Sequence, residues 1–127
     1  LPDWKRTGYT RILQNGTHRR TAWITHYSHA EPGVNFTTAS GQRVQAGRTA
    51  AMLEPRRQFG GLPYGSYVLV TVPAGHKLLQ IFDTGSPANM RRARNRGAET
   101  WVDIYVPTSC RRTLNTSYIL PVYVEAR

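Results

Sequence analysis

From Thr100 to Pro107 the chain reads Thr-Trp-Val-Asp-Ile-Tyr-Val-Pro. A strand resolves this period-two alternation into two faces, with Val102, Ile104 and Val106 on one and Trp101, Asp103 and Tyr105 on the other. The aliphatic face reads as core. The other face sets a carboxylate between a Trp and a Tyr, as on the floor of a cleft where aromatic rings hold a sugar or an apolar ligand. The wet side of a half-exposed edge strand carries the same pattern. A second run, His-Lys-Leu-Leu-Gln-Ile-Phe-Asp-Thr-Gly over residues 76 to 85, places Asp83 in a similar apolar setting. The chain has 7 acidic residues against 17 Lys and Arg, a net charge of +10. A carboxylate in an apolar run is costly unless it is paired or used, so both aspartates need a reason.

The rest of the chain is organised as short strands between turns. Residues 1 to 20 are expected to form an N-terminal extension, a peripheral hairpin turning at Asn15-Gly16. A strand over residues 21 to 28 puts Trp23, Thr25 and Tyr27 on one face, matching the face around Asp103. Residues 29 to 45 are rich in Gly, Ser and Thr and read as a long polar loop, the kind of segment that carries binding residues on a rigid scaffold. Residues 48 to 53 form a short apolar strand ended by Glu54-Pro55, and residues 67 to 72 are the most β-prone run. Pro73-Ala74-Gly75 predicts a tight hairpin from that run to the strand of Asp83. Residues 89 to 96, with four arginines, are the one expected helix, and residues 107 to 115 read as a loop. The last strand, residues 117 to 125, contains Pro121 and is expected at an edge. Short strands, Gly/Pro turns and almost no helix make an all-β barrel or sandwich of residues 21 to 127, within a single domain overall.

Composition narrows the function classes. No run is long enough to span a bilayer as a helix. The single Cys110 rules out an intrachain disulfide and a cysteine-rich zinc site, and the four histidines lack metal-ligand spacing, so neither metal nor cofactor is expected. The first residue is Leu1, which fits numbering that starts after a removed signal or anchor, or inside a longer chain. The positive charge favours polyanionic partners: nucleic acid, acidic cell wall or anionic lipid. Its basic residues are scattered pairs at turns, such as Arg56-Arg57 and Arg111-Arg112, which reads as a solvated basic surface and does not favour nucleic acid.

Two motif readings meet at Asp83. Ile81-Phe82-Asp83-Thr84-Gly85-Ser86 resembles the active-site sequence of aspartic proteases, which need two such aspartates sharing a proton, here only through a homodimer. The retroviral form of that motif lies early in its chain, whereas here it falls late and no matching aliphatic-aliphatic-Gly strand follows. Far more of the chain follows a second pattern. Thr25-His26-Tyr27-Ser28, Thr38-Ala39-Ser40-Gly41, Ala50-Ala51-Met52-Leu53-Glu54-Pro55, Leu62-Pro63-Tyr64-Gly65-Ser66, Asp83-Thr84-Gly85 and Val102-Asp103-Ile104-Tyr105 come in one order. That order resembles the bacterial three-aspartate (3D) domain, shared with murein lytic transglycosylase A and related to rare lipoprotein A and the expansins.

The resemblance implies a six-stranded double-psi β-barrel, with the peripheral hairpin and one short helix, whose groove binds peptidoglycan. It implies Asp103 as catalytic acid/base and Asp83 as partner aspartate. Substrate contacts would come from Thr25, Tyr27, Trp101, Tyr105, Thr84, Gly85, Thr38 and Ser40. Glu54 stands where the family has an aspartate before proline, which keeps the charge on a longer side chain. The implied activity is that of a muralytic lytic transglycosylase, cleaving between N-acetylmuramic acid and N-acetylglucosamine to leave 1,6-anhydro ends. The implied location is extracytoplasmic: secreted, periplasmic, wall-associated or part of a larger particle. Acidic wall polymers are further expected partners. The competing reading is a non-catalytic, expansin-like wall-binding or structural module.

Overall fold

The computed structural model describes residues 19–28, 37–52, 63–72 and 75–125. The expected N-terminal hairpin lies outside these apart from Arg19 and Arg20, which open the first strand, and Glu54 lies outside them too.

Six strands carry the fold: β1 (Arg19–Tyr27), β2 (Thr49–Met52), β3 (Tyr67–Val72), β4 (Gly75–Asp83), β5 (Thr100–Tyr105) and β6 (Tyr118–Glu125). They close into a ring in the order β1-β5-β2-β4-β3-β6. β1 runs parallel to β5 and β2 parallel to β4, and the other four pairings are antiparallel. The described residues are thus all-β apart from two short helices, α1 (Pro87–Asn95) and α2 (Arg111–Leu114).

Alternation explains the closure. Two aliphatic or small residues from each strand fill the interior: Ala22 and Ile24, Ala50 and Met52, Val68 and Val70, Leu79 and Ile81, Val102 and Ile104, Val122 and Val124. Each of the larger ones contributes roughly 1.5–3 kcal/mol on leaving water, and closing the ring hides all twelve at once. The expected β3–β4 hairpin is present, paired from Tyr67↔Gln80 to Val72↔Gly75, and Gly75 takes φ 127° at its turn.

β6 does not lie at an edge. It pairs with β1 from Tyr118 to Tyr123 and with β3 from Val122 to Glu125. Pro121 is tolerated because the β3 ladder begins only at Val122, one residue later in the chain, so no bond to β3 is asked of its missing N–H. The expected loop over residues 107 to 115 contains the single turn α2, which sequence reasoning did not anticipate.

α1 is specified at both ends. Ser86 caps it by accepting from the Asn89 N–H at 3.3 Å, and Pro87 occupies its first turn. At its end Gly97 adopts φ 85°, while the Ala98 N–H reaches the Ala93 carbonyl at 3.0 Å and the Gly97 N–H the Arg94 carbonyl at 3.0 Å. Met90 and Ala93, three residues apart, face the barrel and pack with Ala98 on Trp101, with Trp23 against the cluster. Arg91, Arg92 and Arg94 stay exposed. Among the described residues no helix is long and apolar enough to cross a membrane.

Candidate functional site

Strand register assembles the site. Thr25 pairs with Asp103 across β1–β5, Asp103 with Ala51 across β5–β2, and Ala51 with Asp83 across β2–β4. Register partners project to the same face, so Thr25, Asp103, Ala51 and Asp83 form one row across four adjacent strands. Ile24, Val102 and Ala50, the chain neighbours of the first three, fill the interior, so the row lies on the outside. A bulge between Ala50 and Ala51 in the β2–β4 register shifts Asp83 into this row in place of Phe82. The two aspartates stand two strand spacings apart, roughly 10 Å at the backbone. The row member between them is Ala51, with a methyl side chain.

Packing flanks the row on both sides. Trp23 and Trp101, the next register pair along β1 and β5, lie with α1. On the other side Tyr27 and Tyr105 meet edge to face at 5.6 Å and pack with Val44 and Ala51. Val44 belongs to a small strap that folds back on itself through the Thr37↔Arg43 bridge. The rings of Trp101 and Tyr105 are 3% and 6% exposed, and Tyr27 is 5% exposed. This corrects the expectation of open aromatic faces: α1 and the strap use those faces for packing, so these three residues are walls that position the polar groups. Trp23 is half-buried, and the Arg96 guanidinium lies 4.4 Å from its ring centroid.

The polar contacts divide around the two carboxylates. The Trp101 indole N–H donates to Thr25 Oγ1 at 2.7 Å, and Thr25 Oγ1 donates to Asp103 Oδ1 at 2.8 Å. Indole nitrogen is a donor only, so the direction of this relay is fixed and the threonine proton points at Asp103. Asp83 is gripped differently. Its Oδ1 accepts the backbone N–H groups of Ala39 and Thr84 at 2.9 and 3.0 Å, and its Oδ2 accepts the Tyr27 hydroxyl at 3.2 Å. Through Ala39, and through the Ser40 N–H on the Phe82 carbonyl at 3.1 Å, the strap is tied to the end of β4. Thr38 Oγ1 closes the strap by donating to the Gln42 carbonyl at 2.8 Å, and it lies 2.9 Å from Ser40 Oγ.

Burial, and then the charges of Asp83 and Asp103, push the Tyr27 phenol well above its ordinary range, so it remains an O–H donor. Both carboxylates act on that one hydroxyl, which places them in a single electrostatic site. Gly85 has a steric reason. A Cβ there would fall inside the Trp101 ring, so the Asp-Thr-Gly turn passes directly over the indole that begins the relay.

The structure therefore brings Thr25, Trp101 and Asp103 together, and Tyr27, Asp83, Thr84 and the strap of Thr38 and Ser40 together. Ala39 and Ala51 were missed by sequence reasoning. Ala39 acts through its backbone, which no residue type announces, while Ala51 matters for being small. Among the described residues no group of three or more His, Cys, Asp or Glu is arranged to hold a metal ion. The chain matches no family model and no curated protein.

Proposed function

We propose that this protein is a peptidoglycan-active, lytic-transglycosylase-like enzyme built on a double-psi barrel, with Asp103 as its single acid/base. The supporting observation is the Trp101–Thr25–Asp103 relay beside Asp83 on the outer face of a closed six-stranded ring. Because Oδ1 of Asp103 accepts from Thr25, a proton carried by Asp103 resides on Oδ2. That proton passes to the glycosidic oxygen as the bond to the anomeric carbon of N-acetylmuramic acid breaks. The 6-hydroxyl of the same sugar then attacks that carbon and returns its proton to Asp103, closing the 1,6-anhydro ring without consuming water. One carboxyl serves both steps, so the paired acid and nucleophile of ordinary glycosidases are not required. Asp83, held by three donors from its own chain, is a positioning residue that also keeps negative potential over the oxocarbenium-like centre.

The grip on Asp83 also favours a second reading. A carboxylate spent on anchoring the strap serves a non-catalytic wall-binding or structural barrel as well as an enzyme. The same bonds weigh against a homodimeric aspartic protease, which needs this aspartate turned toward a second copy. Soluble products of a peptidoglycan digest, read by mass spectrometry, separate the readings: the enzyme releases anhydro-muropeptides, whereas a binding module co-sediments with the wall and releases none.

A further inference from the structure

The densest positive charge in the chain lies on α1. Between Thr84 and Ala98 there are four arginines, Arg91, Arg92, Arg94 and Arg96, and no acidic residue. All four are exposed. Met90 and Ala93 face the barrel, so the helical turn sends Arg92 and Arg96 to one edge of the outer face and Arg91 and Arg94 to the other. On the first edge the side chains have work within the fold. Arg92 Nη1 donates to Asn89 Oδ1 at 3.0 Å, Arg96 Nη1 donates to the Arg92 carbonyl at 3.3 Å, and the Arg96 guanidinium covers the Trp23 ring. Arg91 and Arg94 take no part in these contacts. The helix dipole favours Arg92 and Arg94 in the last turn but does nothing for Arg91, and like charges three or four residues apart destabilise the helix that carries them. An anionic partner lying along this face relieves that repulsion.

Placement and chemistry narrow the partner. The Asp83-Thr84-Gly85 turn leads into α1 across the Trp101 indole that begins the relay to Asp103, and Arg96 lies over Trp23, two residues from Thr25 on the same face of β1. Two residues of strand span about 7 Å, so a chain bound along α1 lies beside the aspartate row. Every cation on α1 is a guanidinium, whose planar fork matches phosphate. The setting does not suit nucleic acid. Single strands stack their bases on open aromatic faces, whereas Trp101 is 3% exposed and the Trp23 ring is covered by Arg96. Reading a duplex places the N-terminal residues of a helix on base edges, and here that end follows directly on the Asp83 turn while the arginines gather at the other.

We infer that the outer face of α1 binds a base-free phosphodiester chain, a polyol-phosphate polymer of the cell wall, with Arg91 and Arg94 as principal contacts and Arg92 and Arg96 alongside. Such a polymer is attached to the wall glycan, so α1 holds the wall while the aspartate row meets the sugar. The wall as its source rests on the peptidoglycan reading, whereas recognition of a base-free phosphodiester does not.

The test is a titration of the full chain, in buffer near 0.15 M salt to screen the general positive field, followed by amide and side-chain NMR shifts. Three soluble oligomers matched in charge are the probes: glycerol phosphate, a single-stranded oligonucleotide and galacturonate. Glycerol phosphate is expected to bind most tightly and to move the signals of Arg91, Arg92, Arg94 and Arg96. The double change Arg91→Gln and Arg94→Gln leaves the contacts of Arg92 and Arg96 in place. It is expected to weaken binding about tenfold or more and to reduce the slope of log affinity against log salt by about 1 to 1.5. Changing Arg111 and Arg112 of α2 to Gln removes the same charge elsewhere and is expected to weaken binding less than about twofold at this salt. Equal losses in the two double variants would assign the binding to the general field and overturn the proposal, as would no binding of glycerol phosphate at all. Equal or tighter binding of the oligonucleotide would make α1 a nucleic-acid surface, and equal or tighter binding of galacturonate would make carboxylate its ligand; either result overturns the assignment. The peptidoglycan reading is followed separately, by release of anhydro-muropeptides from wall stripped of phosphate polymers. Release without glycerol-phosphate binding removes the α1 proposal alone, and binding at α1 without release removes the enzyme alone.

Discussion

Thr25 and Asp103 are direct register partners on parallel strands, and the hydroxyl of the first donates to Oδ1 of the second at 2.8 Å while accepting from the Trp101 indole at 2.7 Å. One hydroxyl thus satisfies a buried indole and orients a carboxylate. Thr25→Val keeps the shape and removes both bonds. It is expected to cost about 1–3 kcal/mol of stability, because the indole N–H is stranded, and about 10²-fold in glycan cleavage, because Asp103 loses its orientation. Thr25→Ser, which keeps the oxygen, should restore most of the cleavage. If Val and Ser variants cleave alike, the relay has no part in positioning Asp103.

Gly85 sits over the same indole without a positive φ to explain it; the space for its missing Cβ is occupied by the Trp101 ring. Gly85→Ala is therefore expected to destabilise the fold by about 1–3 kcal/mol through overpacking. Pairing the change with Trp101→Phe, which shortens the ring system, should recover part of that loss in urea unfolding. Additive losses in the double variant would show that the glycine answers to something other than the indole.

Much of this arrangement was legible in the sequence. The alternations of Trp23/Thr25/Tyr27 and Trp101/Asp103/Tyr105 define two matching faces, and the register of β1 with β5 joins them residue for residue. The run from Tyr67 and the Pro-Ala-Gly turn likewise gave the β3–β4 hairpin. What local pattern could not carry was ring order. β2 slots between β5 and β4, and this alone brings Ala51 between two aspartates that are 20 residues apart in the chain. Ring closure also removed the edge that Pro121 had implied. Covering elements were equally hidden: period-two alternation distinguishes inside from outside, but it does not reveal that α1 and the strap will bury Trp101 and Tyr105 on the outside.

Asp83 accepts three hydrogen bonds, two of them from backbone N–H groups, and so ties the strap to β4. An asparagine oxygen can still accept from Ala39 and Thr84, so Asp83→Asn should hold the strap close to its native position. Asp83→Ala leaves those donors without a partner and is expected to cost about 1–2 kcal/mol. Limited trypsin digestion reads the difference at Arg43, which lies exposed in the strap. Cleavage there should accelerate in the Ala variant and not in the Asn variant. Equal rates in both would mean that charge, not hydrogen bonding, fastens the strap.

His26 provides a pH dependence. It is 8% exposed, and Nδ1 lies 3.1 Å from the Thr116 carbonyl, so Nδ1 carries the proton of the neutral ring. Burial, and to a lesser degree Lys77, lowers its pKa below 6.5, outweighing the raising effect of the Thr116 bond. The folded state therefore favours the neutral ring, and below pH 6.5 the unfolded chain binds the proton more readily. This contribution to stability is complete above pH 6.5 and is lost as the pH falls through the lower folded-state value. Urea midpoints of wild type should drop between pH 7 and 5 more steeply than those of His26→Gln, which cannot titrate. Parallel profiles for the two proteins would refute the assignment.

The central claim is that Asp103 alone performs the acid and base steps of a water-independent glycan cleavage. It is tested most directly by digesting purified peptidoglycan with wild type and with Asp103→Asn and analysing the soluble products by mass spectrometry. The account predicts 1,6-anhydro-muropeptides from wild type, a loss of between about 10² and 10⁴-fold in the variant, and equal co-sedimentation of both with the wall. Undiminished release of anhydro products by the Asn variant, or co-sedimentation without release by wild type, would contradict it.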